Sequence, residues 1–275
     1  MAISNEELGI RNEKLPYLKV AASDFDGTLF REQNITDEDL ISIKNWRSVG
    51  NKFGIVTGRT FVMLEKHLKE FNLDFDFSIC CNGAIIHDDA GKVIFETELP
   101  KKTLLEIINE PFAAKSLHFA FETAEKVYCA RVKENSWVLR EKNRWNFPLE
   151  IIDAEQVEKI PKKINQLALD FKSPEEAKMS AEILNKKFGD VIFAQKNTHS
   201  VDIVIAGMNK ARGVSNLVKI MDWRGEIFVI GDESNDLPMI KAFNGYTVAT
   251  AKDFVKREAK KIFNSVGAML NHFAK

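Results

Sequence analysis

Two carboxylates one residue apart, Asp24 and Asp26, close an apolar run and lead straight into Gly27-Thr28. In Ala21-Ala22-Ser23-Asp24-Phe25-Asp26-Gly27-Thr28-Leu29-Phe30 the acids fall where a buried strand would end. A strand has no structural use for paired acids there, because desolvating a carboxylate is unfavourable. Acids so placed can attack as nucleophiles, pass protons or hold a hard cation. Alternation puts residues i and i+2 on one face. Asp24 and Asp26 are therefore expected to project together at the strand's carboxyl end, where open α/β sheets bind ligands. The plainer alternative is an Asx-turn, since Asp-Gly is common turn chemistry. The Gly-Thr step and the apolar residues on both sides weigh against it.

Three further segments could complete such a site. Ile55-Val56-Thr57-Gly58-Arg59-Thr60 runs from a strand through a glycine turn into a helix start. A hydroxyl and backbone N–H groups there suit phosphate oxygens, although the same residues would serve as a simple helix start. Lys210 follows Gly207-Met208-Asn209 at the beginning of a helix. A cation opposes the dipole at that end, which hints at an anion it must meet; a solvated lysine is the other reading. In Val229-Ile230-Gly231-Asp232-Glu233-Ser234-Asn235-Asp236 a second apolar run ends on acids. Clustered oxygen donors without His or Cys suit Mg2+. A capping role would account for one of these four polar residues, not all.

The elements that must position these residues alternate. Strands are expected at 18–24, 53–57 and 77–81, with helices from Thr36 and from Thr60 between them, which argues for a doubly wound, mostly parallel α/β sheet. Residues 85–95 read as a hairpin. Between 98 and 196 the signals become α+β. A helix at 101–109, strands at 118–122 and 127–132, a charged stretch at 133–144, a strand at 165–171, a helix from Pro174 capped by Ser173, and a strand at 190–194 follow in turn. The first pattern is expected to resume with a strand at 201–205 and a helix from Lys210. The expected division is 1–97 for the first part of the sheet domain, 98–196 for an insert, and 197–275 for the second part. The first fifteen or so residues read as frayed or as a short extra helix.

The chain has 275 residues and a formal net charge of −1, from 39 basic and 40 acidic residues. That balance points to no nucleic acid and no anionic membrane surface as partner. The N-terminal segment lacks the apolar stretch of a signal peptide, and no apolar run approaches a membrane span. Three cysteines, two of them adjacent at 80 and 81, read as reduced thiols rather than a disulfide frame. A cytoplasmic protein is expected.

Taken in order, DFDGTLF, the Thr of VTGR, Lys210 and GDESND resemble the four motifs of the haloacid dehalogenase-like (HAD) superfamily. The insert, CNGA at 81–84, GMNKARGV around Lys210 and the tail from Phe243 are similar to its Cof-like, subclass IIB branch. The resemblance implies a Rossmann-like core with an inserted C2B-type cap. It also implies a phosphatase of small phosphate monoesters, such as sugar phosphates, with Asp24 as nucleophile forming an aspartyl-phosphate and Asp26 as general acid then base. Thr57, Gly58 and Lys210 would bind the transferring phosphate. Mg2+ would be held by Asp24, by the Asp26 backbone carbonyl and by Asp232, with Asn235 and Asp236 behind them fixing Asp232 and Lys210. A phosphomutase of the phosphomannomutase type would use the same intermediate, and a non-catalytic phosphate-binding module is the alternative of a different class. A monomer or homodimer fits. Arg131, Lys133, Arg140, Lys142 and Arg144 would give the cap a positive face, able to attract a second anionic group or simply solvated. Two positions depart from the family pattern: Glu233 stands where many relatives have Gly, and Thr250-Ala251 where many have Gly-Asn.

Overall fold

In the computed structural model the described residues are 18–274, so the expectation for the first fifteen residues lies outside them. The described residues begin with β1 (Leu18–Ser23), α1 (Asp37–Ser48), β2 (Lys52–Val56), α2 (Phe61–Glu70) and β3 (Phe77–Cys80), then the hairpin β4 (Ile85–Asp88) and β5 (Val93–Glu96). The insert follows: α3 (Lys101–Ile108), β6 (His118–Glu122), β7 (Val127–Ala130), α4 (Trp137–Trp145), β8 (Leu149–Ile151), β9 (Gln166–Asp170), α5 (Pro174–Phe188), β10 (Ile192–Asn197) and β11 (Ser200–Ile205). The chain closes with α6 (Lys210–Ile220), β12 (Gly225–Gly231), α7 (Leu237–Ala242), β13 (Tyr246–Val248), α8 (Asp253–Lys256), β14 (Lys261–Phe263) and α9 (Val266–Phe273).

The larger sheet runs β14-β13-β12-β1-β2-β3-β4-β5. β1 lies parallel between β12 and β2, with Ser23 opposite both Ile230 and Ile55. The antiparallel pairings in this sheet are β3–β4 and β4–β5. Both faces are apolar: Ala21, Ile55 and Ile230 pack with residues of α1, α2 and α9, while Val20, Ala22, Val56 and Val229 pack with α6 and α7. Burial on both sides explains the continuous apolar runs of these strands. The chain order reverses across β1, so the loops after β1 and β12 meet at a switch point.

The smaller sheet runs β10-β11-β9-β6-β7-β8. Its outer face packs against α3 and α5. Its inner face carries Ala120, Ala168 and Cys129 and meets Met63 of α2, alongside Val138 and Phe147. Helix α5 starts as expected, with the Ser173 hydroxyl accepting from the Glu176 N–H and Pro174 in the first turn. One strand is misplaced by the sequence reading. Residues 201–205 do not reopen the large sheet: β11 pairs antiparallel with β9 and β10, so the return to the large sheet comes after Ile205. Val201 and Ile203 complete the core under α5, which is the physical reason the strand stays with the insert. The charged stretch expected at 133–144 forms helix α4 over most of its length. No helix among the described residues is long and apolar enough to cross a membrane. Cys80, Cys81 and Cys129 are free and buried.

Candidate active site

The loops after β1, β2 and β12 and the first residue of α6 meet at one end of the large sheet, beneath the inner face of the smaller one. Between them lies a cleft of about 1030 Å3 lined by Asp24, Asp26, Thr57, Gly58, Asp232 and Asn235, among others. Asp24 follows β1 directly, and its N–H donates to the Ile230 carbonyl at 2.9 Å, tying the loop to β12. Lys210, 1% exposed, reaches in from α6. Its Nζ donates to Asp24 Oδ1 and to Asp236 Oδ1, both at 2.6 Å. The other Asp236 oxygen accepts from the backbone N–H groups of Asp232 (2.9 Å) and Glu233 (3.0 Å). Asp236 thus contacts both Lys210 and the Asp232 loop.

The Thr28 hydroxyl donates to Asp232 Oδ1 at 2.5 Å, a role the sequence reading left unassigned. Two glycines make room for this cluster. A Cβ on Gly27, whose φ is +84°, would lie 2.5 Å from Asp232 Oδ2, and one on Gly231 would lie 2.3 Å from Asp236 Cγ.

Charge is crowded here. Burial first, and the Asp236 carboxylate next, push the Asp24 pKa well above its ordinary value, with Lys210 opposing. Burial likewise raises Asp232 to about 6, against the hydrogen bond from Thr28. Burial works against the Lys210 charge, but Asp236 and Asp24 more than offset it and raise its pKa. One ammonium cannot balance three carboxylates. Among the described residues Asp24, Asp232 and Asp236 form a cluster whose oxygens lie within 4.8 Å of one another. The donors are hard oxygens with no His or Cys, which fits a dication of the Mg2+ kind. Since Asp236 already accepts from Lys210 and two backbone N–H groups, Asp24 and Asp232 are the better placed ligands.

Three expected placements change. Asp24 and Asp26 line one cleft, but β1 ends at Ser23, so strand alternation does not set their directions. The Asp26 carboxylate turns to Arg59 instead, taking hydrogen bonds from Nε (2.7 Å) and Nη2 (2.8 Å). Although the Asp26 side chain is 47% exposed, partial loss of its hydration raises its pKa; the Arg59 charge and its two bonds outweigh this and leave it below its ordinary value. Asn235 does not bind Asp232 or Lys210: its Nδ2 donates to Asn82 Oδ1 at 3.2 Å. Of the five basic residues expected on the insert's face, Arg140 alone lines the cleft. Arg131 donates to the Ile108 carbonyl, Lys133 to that of Ser116 and Lys142 to that of Phe147, while Arg144 lies over the Trp145 ring.

Thr57 and Gly58 lie in the β2–α2 turn and line the cleft. The Thr57 hydroxyl accepts from the Arg59 N–H at 3.1 Å. The Gly58 carbonyl accepts from Gln166 of β9 at 2.9 Å. Gln166 belongs to a buried polar group that the sequence reading missed. Asn82 Nδ2 donates to Gln166 (2.9 Å) and to Asp202 (3.0 Å), and Gln166 donates to Glu122 (2.7 Å). The Asn of CNGA was visible as a motif; its partners, 84 and 120 residues away, were not. Of the departures from the family pattern, Glu233 lines the cleft and pairs with Lys252, which follows Thr250-Ala251 in the chain.

A mostly parallel α/β sheet with acids and a buried lysine at its switch point is an enzyme-like arrangement. The haloacid dehalogenase-like hydrolase family matches residues 21–268, and the chain belongs to it. The chain is 26% identical over 262 residues to the Bacillus subtilis 5-amino-6-(5-phospho-D-ribitylamino)uracil phosphatase YitU, covering 90% of this chain and 92% of that protein. It is 22% identical over 247 residues to the Escherichia coli phosphatase of the same description, YbjI, covering 82% of each. Its fold matches the HAD subclass IIB sugar phosphatase BT4131 with a TM-score of 0.75 at 21% identity, over 93% of this chain and 98% of that one.

Proposed function

We propose that the protein is a Mg2+-dependent phosphatase of small phosphate monoesters, sugar phosphates or related metabolites, acting through an aspartyl-phosphate on Asp24. The observation that carries this reading is the Lys210 ammonium seated 2.6 Å from both Asp24 and Asp236. It sets against Asp24 a cation that favours its ionised, nucleophilic form and is able to bind a transferring phosphoryl group. Three similar proteins described as phosphatases support the same class.

In the first half-reaction an Asp24 oxygen bonds to phosphorus as the ester P–O bond breaks, and the leaving oxygen takes a proton from Asp26, which must be protonated for this step against the pull of Arg59 towards its ionised form. In the second, water attacks phosphorus, its proton returns to Asp26, and the Asp24–phosphorus bond breaks. Thr57, the Gly58 backbone and Lys210 would hold the transferring oxygens throughout. Asp24, the Asp26 carbonyl and Asp232 would hold Mg2+, which supplies compensation for the phosphoryl charge when bound. The insert would cover the cleft and exclude water. This reading includes a cytoplasmic setting and no nucleic-acid or membrane partner.

The test is phosphate release from sugar phosphates, nucleotides and p-nitrophenyl phosphate. Release with Mg2+, lost in EDTA and restored by added Mg2+, is the expected result. A folded, Mg2+-loaded protein that releases phosphate from none of these esters overturns the reading.

Stability reports on the metal independently of turnover. The Asp232 pKa stands at about 6 in the fold against an ordinary 3.8. Its ionised form therefore costs stability, increasingly as pH rises through that window and fully above it. Mg2+ should raise the melting temperature at neutral pH by binding only the folded state. Asp232→Asn should raise the metal-free melting temperature and abolish the Mg2+ shift. Retention of the full shift in that variant removes Asp232 from the ligand set.

A further inference from the structure

Arg59 connects the two sheets at the cleft mouth. Two of its N–H groups clamp the Asp26 carboxylate, and a third, on Nη1, donates to Glu141 Oε2 at 2.9 Å. Glu141 belongs to α4 of the insert, while Arg59 and Asp26 belong to the large-sheet half. Helix α4 is docked rather than loose. The Trp145 ring lies 3.7 Å from that of His67 on α2, centroid to centroid, and meets the Phe30 ring edge-on at 6.3 Å. Among the described residues, both hydrogen bonds to the Asp26 carboxylate come from Arg59. That side chain is 47% exposed, so little else restrains it.

We infer that Glu141 is a positioning residue. From the insert it fixes the Arg59 guanidinium and, through it, the plane of the Asp26 carboxylate, so that the acid–base group is aligned only while α4 sits against α2. The inference rests on the phosphatase reading above. A guanidinium presents its donors in a rigid planar fork. Anchoring one edge of the fork on Glu141 therefore sets the direction of the other edge, and a side chain held at two points cannot rotate freely. The device links closure of the cleft to readiness of Asp26, although Glu141 touches no reacting atom.

The test compares kcat on two esters that differ in their need for a proton. p-Nitrophenolate leaves readily without one, whereas an alkyl ester such as glucose 6-phosphate expels a basic alkoxide that must take the Asp26 proton. Glu141→Ala should lower kcat on the alkyl ester about tenfold more than on p-nitrophenyl phosphate, a modest share of the 10²–10⁴ that acid–base catalysis supplies. Glu141→Gln, which keeps an acceptor for Arg59, should restore the wild-type ratio of the two rates. A purely structural role would slow both esters alike. An unchanged ratio in Glu141→Ala, or a ratio lost as fully in Glu141→Gln, overturns the inference. Wild-type release from p-nitrophenyl phosphate is read in the same assay, so the phosphatase reading is judged separately.

Discussion

Asp24→Asn should abolish turnover while leaving the protein folded and more stable than the parent in the absence of metal. An amide oxygen cannot displace an alcohol from phosphorus at a useful rate, and no second carboxylate stands in the same relation to Lys210 and the cleft. A fall of about 10⁴-fold or more is expected, equivalent to about 5.4 kcal/mol of lost transition-state stabilisation. The stability change runs the other way. Burial and Asp236 raise the Asp24 pKa above its ordinary 3.8 in the fold. Between those values the folded state binds more protons than the unfolded state, so stability falls as pH rises through the window. A neutral Asn escapes that penalty. The variant's advantage in urea midpoint should be largest at neutral pH and vanish in acid, where both forms are uncharged. Added Mg2+ should erase it, since the cation compensates the parent's carboxylate. Turnover within tenfold of the parent would remove Asp24 as nucleophile. An unchanged stability with lost turnover would instead mean that the acid crowding is relieved in solution by some other cation.

Much of this site was legible because its residues are carried by short local patterns. An apolar run that ends on acids reports a strand end, and the strands that lead into Asp24 and Asp232 are neighbours in the sheet. The N-caps Thr36 and Ser173 sit where the capping residues place them, since a cap depends on residues three positions apart. What could not be read is long-range. An apolar strand at 201–205 fits either sheet equally well until its partners are known. The Arg59–Glu141 pair joins residues 82 apart in the chain. Helix α4 hides its periodicity because Val138 is its one fully buried position, so charge dominates the stretch. The direction of the Asp26 side chain failed for another reason: alternation governs residues within a strand, and the strand had already ended.

Lys210→Met tests the other half of the charge balance and should be strongly destabilising. Methionine nearly matches the volume of the lysine stem, so packing around α6 is preserved and the loss is electrostatic. Asp24 and Asp236 would then face each other with no cation between them. Removing one partner of a buried ion pair costs about 3–5 kcal/mol, because the remaining charge stays desolvated. That loss should be greatest at neutral pH and should shrink as pH falls, because protonating Asp24 removes the uncompensated charge. Lys210→Arg is no rescue, since a planar fork cannot occupy the space of a point charge shared by two carboxylates. The pairing itself is read from a double variant: in the Asp24→Asn background Lys210→Met should cost less than in the parent, the difference measuring the interaction. Equal costs in the two backgrounds would show that Lys210 serves Asp236 and the loop alone. Should Lys210→Met fail to fold at neutral pH, the comparison is made with Mg2+, which compensates the acids in both backgrounds. A lysine at the start of a helix, where the dipole disfavours it, is tolerated because two acids await it, and the same two acids are tolerated because the lysine arrives.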